Sequence, residues 1–188
     1  MKIPPSKALE KIKRYWSDAP VDVFAAARDL HLGPVIDENL PNEVSGAIRR
    51  LEDDNWQIVV NGGHALTRQR FTVAHEIGHF IYHRAKLEAY DGTSDTLAFR
   101  IAANYYPNKY IGPREEWQAN TFAANFLIPS HVLRAAQSLG ITDTVELARR
   151  FNVSPAAMSI RLGNSEPPGG GYTDEPEVQR DAFGFDRI

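Results

Sequence analysis

The chain has no cysteine. That absence removes disulfides and thiolate metal ligands together, so a bound metal has to be held by His, Asp or Glu. It also fits a reducing compartment. Long apolar runs are missing as well. No window approaches the roughly 18 apolar residues that span a bilayer, and the opening "MKIPPSKALEKIKRYW" lacks the apolar centre of a signal peptide. The expectation is a soluble, cytoplasmic protein with no membrane partner. An excess of one charge is the third thing lacking: a formal net charge of -3 gives no global attraction to nucleic acid. There are no internal repeats. What is present is ordinary for one globular core with a small appendage, at 188 residues and 43% hydrophobic.

The punctuation of the chain predicts a mainly helical α+β protein. "SKALEKIKRYW" (6–16) places Leu9, Ile12 and Trp16 on one helical face, with Ser6 as the expected N-cap. "PVDVFAAARDLHLG" (20–33) follows as a second helix closed by Gly33, with His31 a structural residue at its tail. "VSGAIRRL" (44–51) and "WQIVVN" (56–61), separated by the turn residues "EDDN", predict a short antiparallel pair of strands. Helices are then expected from about Thr67 to His83, over "REEWQANTFAANFL" up to Pro129, and over "SHVLRAAQSLG". Residues 84–113 have no clean period and predict a long excursion. "DTVELARRFNVSPAAMSIRL" predicts two short helices with a tight turn, the second capped by Ser154 and opened by Pro155. The expected division is a core over 1–129, a helix-turn-helix-like region over 130–164 and a flexible Pro/Gly-rich tail over 165–188.

Three of the six histidines fall in one stretch, "RQRFTVAHEIGHFIYH" (68–83). Residues four apart share a helix face, so His75 and His79 aim two imidazoles at one point. Glu76 projects about 100° round the helix from His75, where a general base for a metal-activated water belongs. The intervening Phe71, Val73, Ala74, Ile77, Phe80 and Ile81 make the helix buried. Buried polar groups need a partner that satisfies them, and a metal is such a partner. Gly78 permits a close neighbour. His83 lies about 12 Å along from His75, too far to share the ion, which leaves it a capping or supporting role.

The remaining ligand has to come from another element. Candidates are Glu88, Asp91, Asp95, Glu115, Glu116 and His131. Glu116 is favoured, because Ala119, Asn120, Ala123 and Leu127 continue its face. That stripe of small residues lets a second helix lie tight against the first. Asn120 would then hydrogen-bond a ligand histidine and fix its orientation. Glu115 shares its face with Gln118, Phe122 and Phe126, a bulkier seam suited to core contact. Zinc is the default ion for two imidazoles and a carboxylate, with manganese or another divalent metal also suited.

The two central motifs, "RQRFTVAHEIGHFIYH" and "EEWQANTFAANFLIP", together resemble the ImmA/IrrE family of metallopeptidases over approximately residues 5–163. "SGAIRRL…WQIVVN" and "LARRFNVSPAAMSIRL" match that family's layout in order and spacing. The resemblance implies a zincin-like (gluzincin-like) core, with His75, His79 and Glu116 as metal ligands and Glu76 as catalytic base. It implies a zinc endopeptidase whose metal-activated water attacks a peptide carbonyl. The partner it implies is a helix-turn-helix (XRE-type) repressor encoded nearby, whose cleavage releases stress-response or mobile-element genes.

Further expectations concern the surroundings of the site. If "WQIVVN" is the sheet edge over the metal, Ile58, Val59, Val60 and Asn61 could pair with an extended substrate. Tyr90, Tyr105, Tyr106, Tyr110 and His64 are candidate oxyanion stabilisers. The rival class is a regulator that binds DNA or protein through residues 142–163, or a toxin–antitoxin component. Direct DNA binding is disfavoured, since only Arg161 on the expected recognition helix could read a base.

Overall fold

The computed structural model describes residues 3–53, 55–89, 98–101, 111–163, 179–180 and 186–187. The α+β expectation holds. Helix α1 (Pro5–Ile12) passes through a 3-10 turn (Lys13–Ser17) to α2 (Val23–Asp29). Ser6 sits inside α1, whose N-cap is Pro4; a proline in the first turn, where the N–H has no helical partner, replaces the expected side-chain cap. Asp22 caps α2 by accepting from the Ala25 N–H. His31 and Gly33 both adopt positive φ (59° and 38°), which turns the chain out of α2 and into an extended run.

That run adds a strand the sequence pattern did not announce. Strands β1 (Val35–Asp37), β2 (Val44–Arg50), β3 (Trp56–Asn61) and β4 (Ala98–Ile101) form a mixed sheet in the order β1-β3-β2-β4. The expected hairpin is there, with Ile48 opposite Ile58 and Arg50 opposite Trp56. Strand β1 lies parallel to β3, placing Val35, Ile36 and Asp37 beside Val59, Val60 and Asn61. The expectation of a free edge at 56–61 is therefore corrected. The Ile58 N–H already donates to Leu32 O at 2.8 Å, and β1 pairs with Val59–Asn61, so this strand is interior and the stretch 58–61 offers no row of open backbone groups for a peptide. Asn61 is structural as well: its Nδ2 donates to Val44 O at 2.7 Å and to Pro41 O at 2.9 Å.

Helix α3 (Leu66–Tyr82) packs on this sheet and is buried at every residue from Thr72 to Ile81. Gly46 of β2 makes that approach possible. A Cβ there would run into the Val59 carbonyl oxygen and sit 2.6 Å from Thr72 Cγ2. The excursion after α3 begins with a short helix, α4 (Arg84–Glu88). Helix α5 (Pro113–Leu127) then lies along α3, and α6 (Ser130–Ser138), α7 (Thr144–Phe151) and α8 (Pro155–Arg161) complete the helical part. Asp143 caps α7, Asn152 takes the left-handed conformation after it (φ 51°), and Ser154 caps α8 ahead of Pro155. One hydrophobic cluster runs from Ala8 through Ile58, Ile77 and Phe126 to Phe151 and Met158, so the last helices share the core of the rest. Residues 179–180 and 186–187 pair as strands β5 (Gln179–Arg180) and β6 (Asp186–Arg187); the remainder of the tail from residue 164 lies outside the described residues. No helix among the described residues is long and apolar enough to cross a membrane.

Candidate metal centre

Helix periodicity stacks His75 and His79 of α3 along one face, with His83, the residue that caps the helix, continuing the row. Ring centroids are 4.6 Å apart for His75 and His79 and 5.0 Å for His79 and His83. His75, Glu76, His79 and His83 are all buried, at 1–5% exposure, which is rare for four such groups on one helix and its cap. Helix α5 closes over them. Gly78 is the point of nearest approach: a Cβ on it would stand 3.0 Å from Phe122 Cδ1 and 3.2 Å from Ala119 Cα. Gly78 on one helix and Ala119 on the other thus let two backbones meet.

This contact brings Glu116 to the histidines. Its Oε2 lies 3.3 Å from His75 Nε2 and its Oε1 3.3 Å from His79 Nε2, while the two Nε2 atoms are 2.9 Å apart. Four ligands at bonds of about 2.0–2.1 Å around a tetrahedral ion are separated by about 3.3 Å, so these spacings are of the size a bound divalent metal needs. The donor chemistry agrees. His75 Nδ1–H donates to Asn120 Oδ1 at 3.0 Å, which turns the Nε2 lone pair toward the shared point. Burial alone would push the Glu116 carboxyl up. When no ion is bound, a proton on either imidazole donates to this carboxylate, and that hydrogen bond and charge outweigh burial and hold the group well below the usual carboxylate range. Once that proton leaves, the same lone pairs are free for a metal. An anionic carboxylate and imidazole lone pairs converging in a buried place form a donor set for a cation. Among the described residues, His75, His79 and Glu116 are the group whose ligand atoms all lie within 4.8 Å of one another.

The other candidates go elsewhere. Glu115 accepts from the Gly112 N–H at 2.9 Å as part of a capping box and pairs with Lys86 Nζ at 2.5 Å. Glu88 pairs with Arg84 at 3.1 Å, one turn back on α4. His131 lies beside Lys13, Trp16 and Ser17. His64 is buried under the loop before β2, its Nε2 2.9 Å from Asn42 O, and it is not brought into the cluster. Asp91, Asp95, Tyr90, Tyr105, Tyr106 and Tyr110 lie outside the described residues. Sequence reasoning missed Gln118, which it placed in the bulky seam. Its Oε1 stands 2.7 Å from His83 Nε2. A long amide two residues past the ligand carboxylate, with a buried histidine four past the second ligand, is the signal that pointed there.

Residues 31–163 match the IrrE N-terminal-like domain, a peptidase family. The chain belongs to that family. No curated protein matches it. A solved Mycobacterium tuberculosis transcriptional regulator has a similar fold, with a TM-score of 0.55 and 22% identity over 88% of this chain. The match takes in 47% of that regulator's length, so this ImmA/IrrE chain spans about half of it.

Proposed function

We propose that this ImmA/IrrE member is a metal-dependent endopeptidase. The observation that carries the reading is the convergence of His75, His79 and Glu116 on one buried point, with Glu76 next to His75 on the same helix. A divalent ion, zinc as the default for two imidazoles and a carboxylate, would supply Lewis acidity to water and to the scissile carbonyl. The chain's own residues do the rest. Glu76 accepts the proton of the attacking water and delivers it to the leaving amine, a role worth about 10²–10⁴-fold in rate. Asn120 holds the His75 ring, and α5 keeps Glu116 in place against α3.

The substrate we propose is a helix-turn-helix repressor of the XRE type, encoded beside the gene and inactivated by cleavage in the cytoplasm. Direct DNA reading by α8 is disfavoured by Arg161, which donates to Ile128 O at 3.4 Å and to Ser130 Oγ and so is turned into the α5–α6 junction. Incubation with that repressor, followed by mass analysis, should give two fragments whose formation stops with a chelator or with Glu76→Gln. Uncleaved repressor in the presence of zinc-loaded protein would overturn the substrate. Regulation that survives Glu76→Gln, with fold and zinc intact, would make the protein a binding regulator instead.

A further inference from the structure

His83 and Gln118 have no place in the metal-binding set, yet their contacts run straight to it. His79 Nδ1 lies 3.0 Å from His83 Nδ1, and His83 Nε2 lies 2.7 Å from Gln118 Oε1. An amide oxygen only accepts, so the proton in the second contact belongs to His83 Nε2. A neutral imidazole carries a single N–H, which leaves His83 Nδ1 as an acceptor. The proton in the first contact is therefore on His79 Nδ1. That assignment strips His79 Nε2 of its proton and leaves a lone pair facing His75 Nε2 and Glu116.

We propose that Gln118 and His83 are positioning residues that fix the tautomer of His79, so that its Nε2 faces the metal point unprotonated. The proposal rests on the reading of His75, His79 and Glu116 as a metal centre. The opposite polarity would run from a donor at position 118, through His83 Nδ1–H, to a proton on His79 Nε2. A proton there would sit inside the 2.9 Å contact with His75 Nε2 and occupy the space the ion needs. One chain of hydrogen bonds thus has two directions, and only one of them admits a cation. Burial of His79 and His83 (4% and 5% exposed) keeps water from supplying a substitute acceptor.

Polarity separates this role from packing. Gln118 is only half-buried, so near-isosteric changes are tolerated. Gln118→Glu keeps an acceptor, Gln118→Met keeps volume with none, and Gln118→Lys offers donors alone. Cobalt titration of the chelator-stripped full chain should show affinity unchanged for Gln118→Glu, lowered about 10–100-fold for Gln118→Met, and lowered at least as far for Gln118→Lys. Nitrogen-15 imidazole spectra of the zinc-loaded wild type should place protons on His79 Nδ1 and His83 Nε2. Equal affinity of the Met and Glu variants, or the reverse proton assignment, overturns the relay while leaving the metal centre standing. A wild type that binds no cobalt or zinc overturns the centre and the relay together.

Discussion

Helix α3 carries two buried polar systems, and they solve burial in opposite ways. Toward its N-terminus, Arg70 is 6% exposed and brings a charge whose donors meet only acceptors: Nε donates to Asn152 O at 3.0 Å and a terminal nitrogen to Val21 O at 2.8 Å. Burial lowers its pKa, with Asp22 opposing that shift. These two bonds tie α3 to the segment before α2 and to the α7–α8 turn, and they are donor–acceptor pairs that call for no added ion. Toward the C-terminus, His75, His79 and Glu116 bring three potential metal-ligand atoms to 2.9–3.3 Å of one another, with more lone pairs than protons to share among them. Such a group needs something between its members, a proton or, in its place, a metal ion. A buried polar cluster whose donors and acceptors balance is a staple, and one with surplus lone pairs is a binding site.

The contrast breaks most clearly on adding metal. Zinc at about 100 times its Kd should stabilise the wild type by about 2.7 kcal/mol, read as a rise in Tm of about 5–10 °C. Arg70→Met should keep that increment and Glu116→Ala should lose it. An increment that survives Glu116→Ala would place the ion elsewhere. Second in size, Arg70→Met leaves one buried and one half-buried carbonyl without their donor and should cost about 2 kcal/mol by urea unfolding, equally with and without zinc. Dependence of that cost on zinc would join the two systems.

Gly78→Ala should cost about 1–3 kcal/mol and also weaken metal binding, because the Ala119 backbone must retreat and carry Glu116 with it. A loss of stability with unchanged zinc affinity would show that the α3–α5 spacing does not set the ligand geometry. The smallest effect is in pH. Burial pushes His83 down to about 4, with Gln118, His79, Glu115 and Lys86 also acting on it. The folded state therefore holds this proton less tightly than the unfolded chain does. Its contribution to stability is complete above about pH 6.5 and lost as pH falls toward 4. Urea midpoints of the metal-free protein should fall across that window, and His83→Phe should flatten the slope. The Glu116 contribution, from a depressed carboxyl, is lost only below about pH 4.5.

Much of this was legible without coordinates because it is written in local spacing. Histidines four apart, a stripe of small residues beside Glu116, and Ser154 with Pro155 each act within one or two helical turns, where period and capping dictate geometry. The misread parts depend on chain segments meeting across distance. Strand β3 looked like an edge because three residues after a left-handed turn, Val35–Asp37, are too short and too exposed to show a strand period. Gln118 looked like core because its partner, His83, is 35 residues away on another helix.

The sequence by itself determined the ligand types, their helical phase and the ends of most helices, since those follow from residue chemistry and a fixed 3.6-residue period. Only the tertiary structure decided how near Glu116 comes to the histidines, that β1 closes the sheet beside β3, and that a hydrogen-bonded chain from Gln118 reaches His79. Each of these turns on how closely two elements pack, and that distance is set by Gly46, Gly78 and Ala119 acting against residues far from them in the chain.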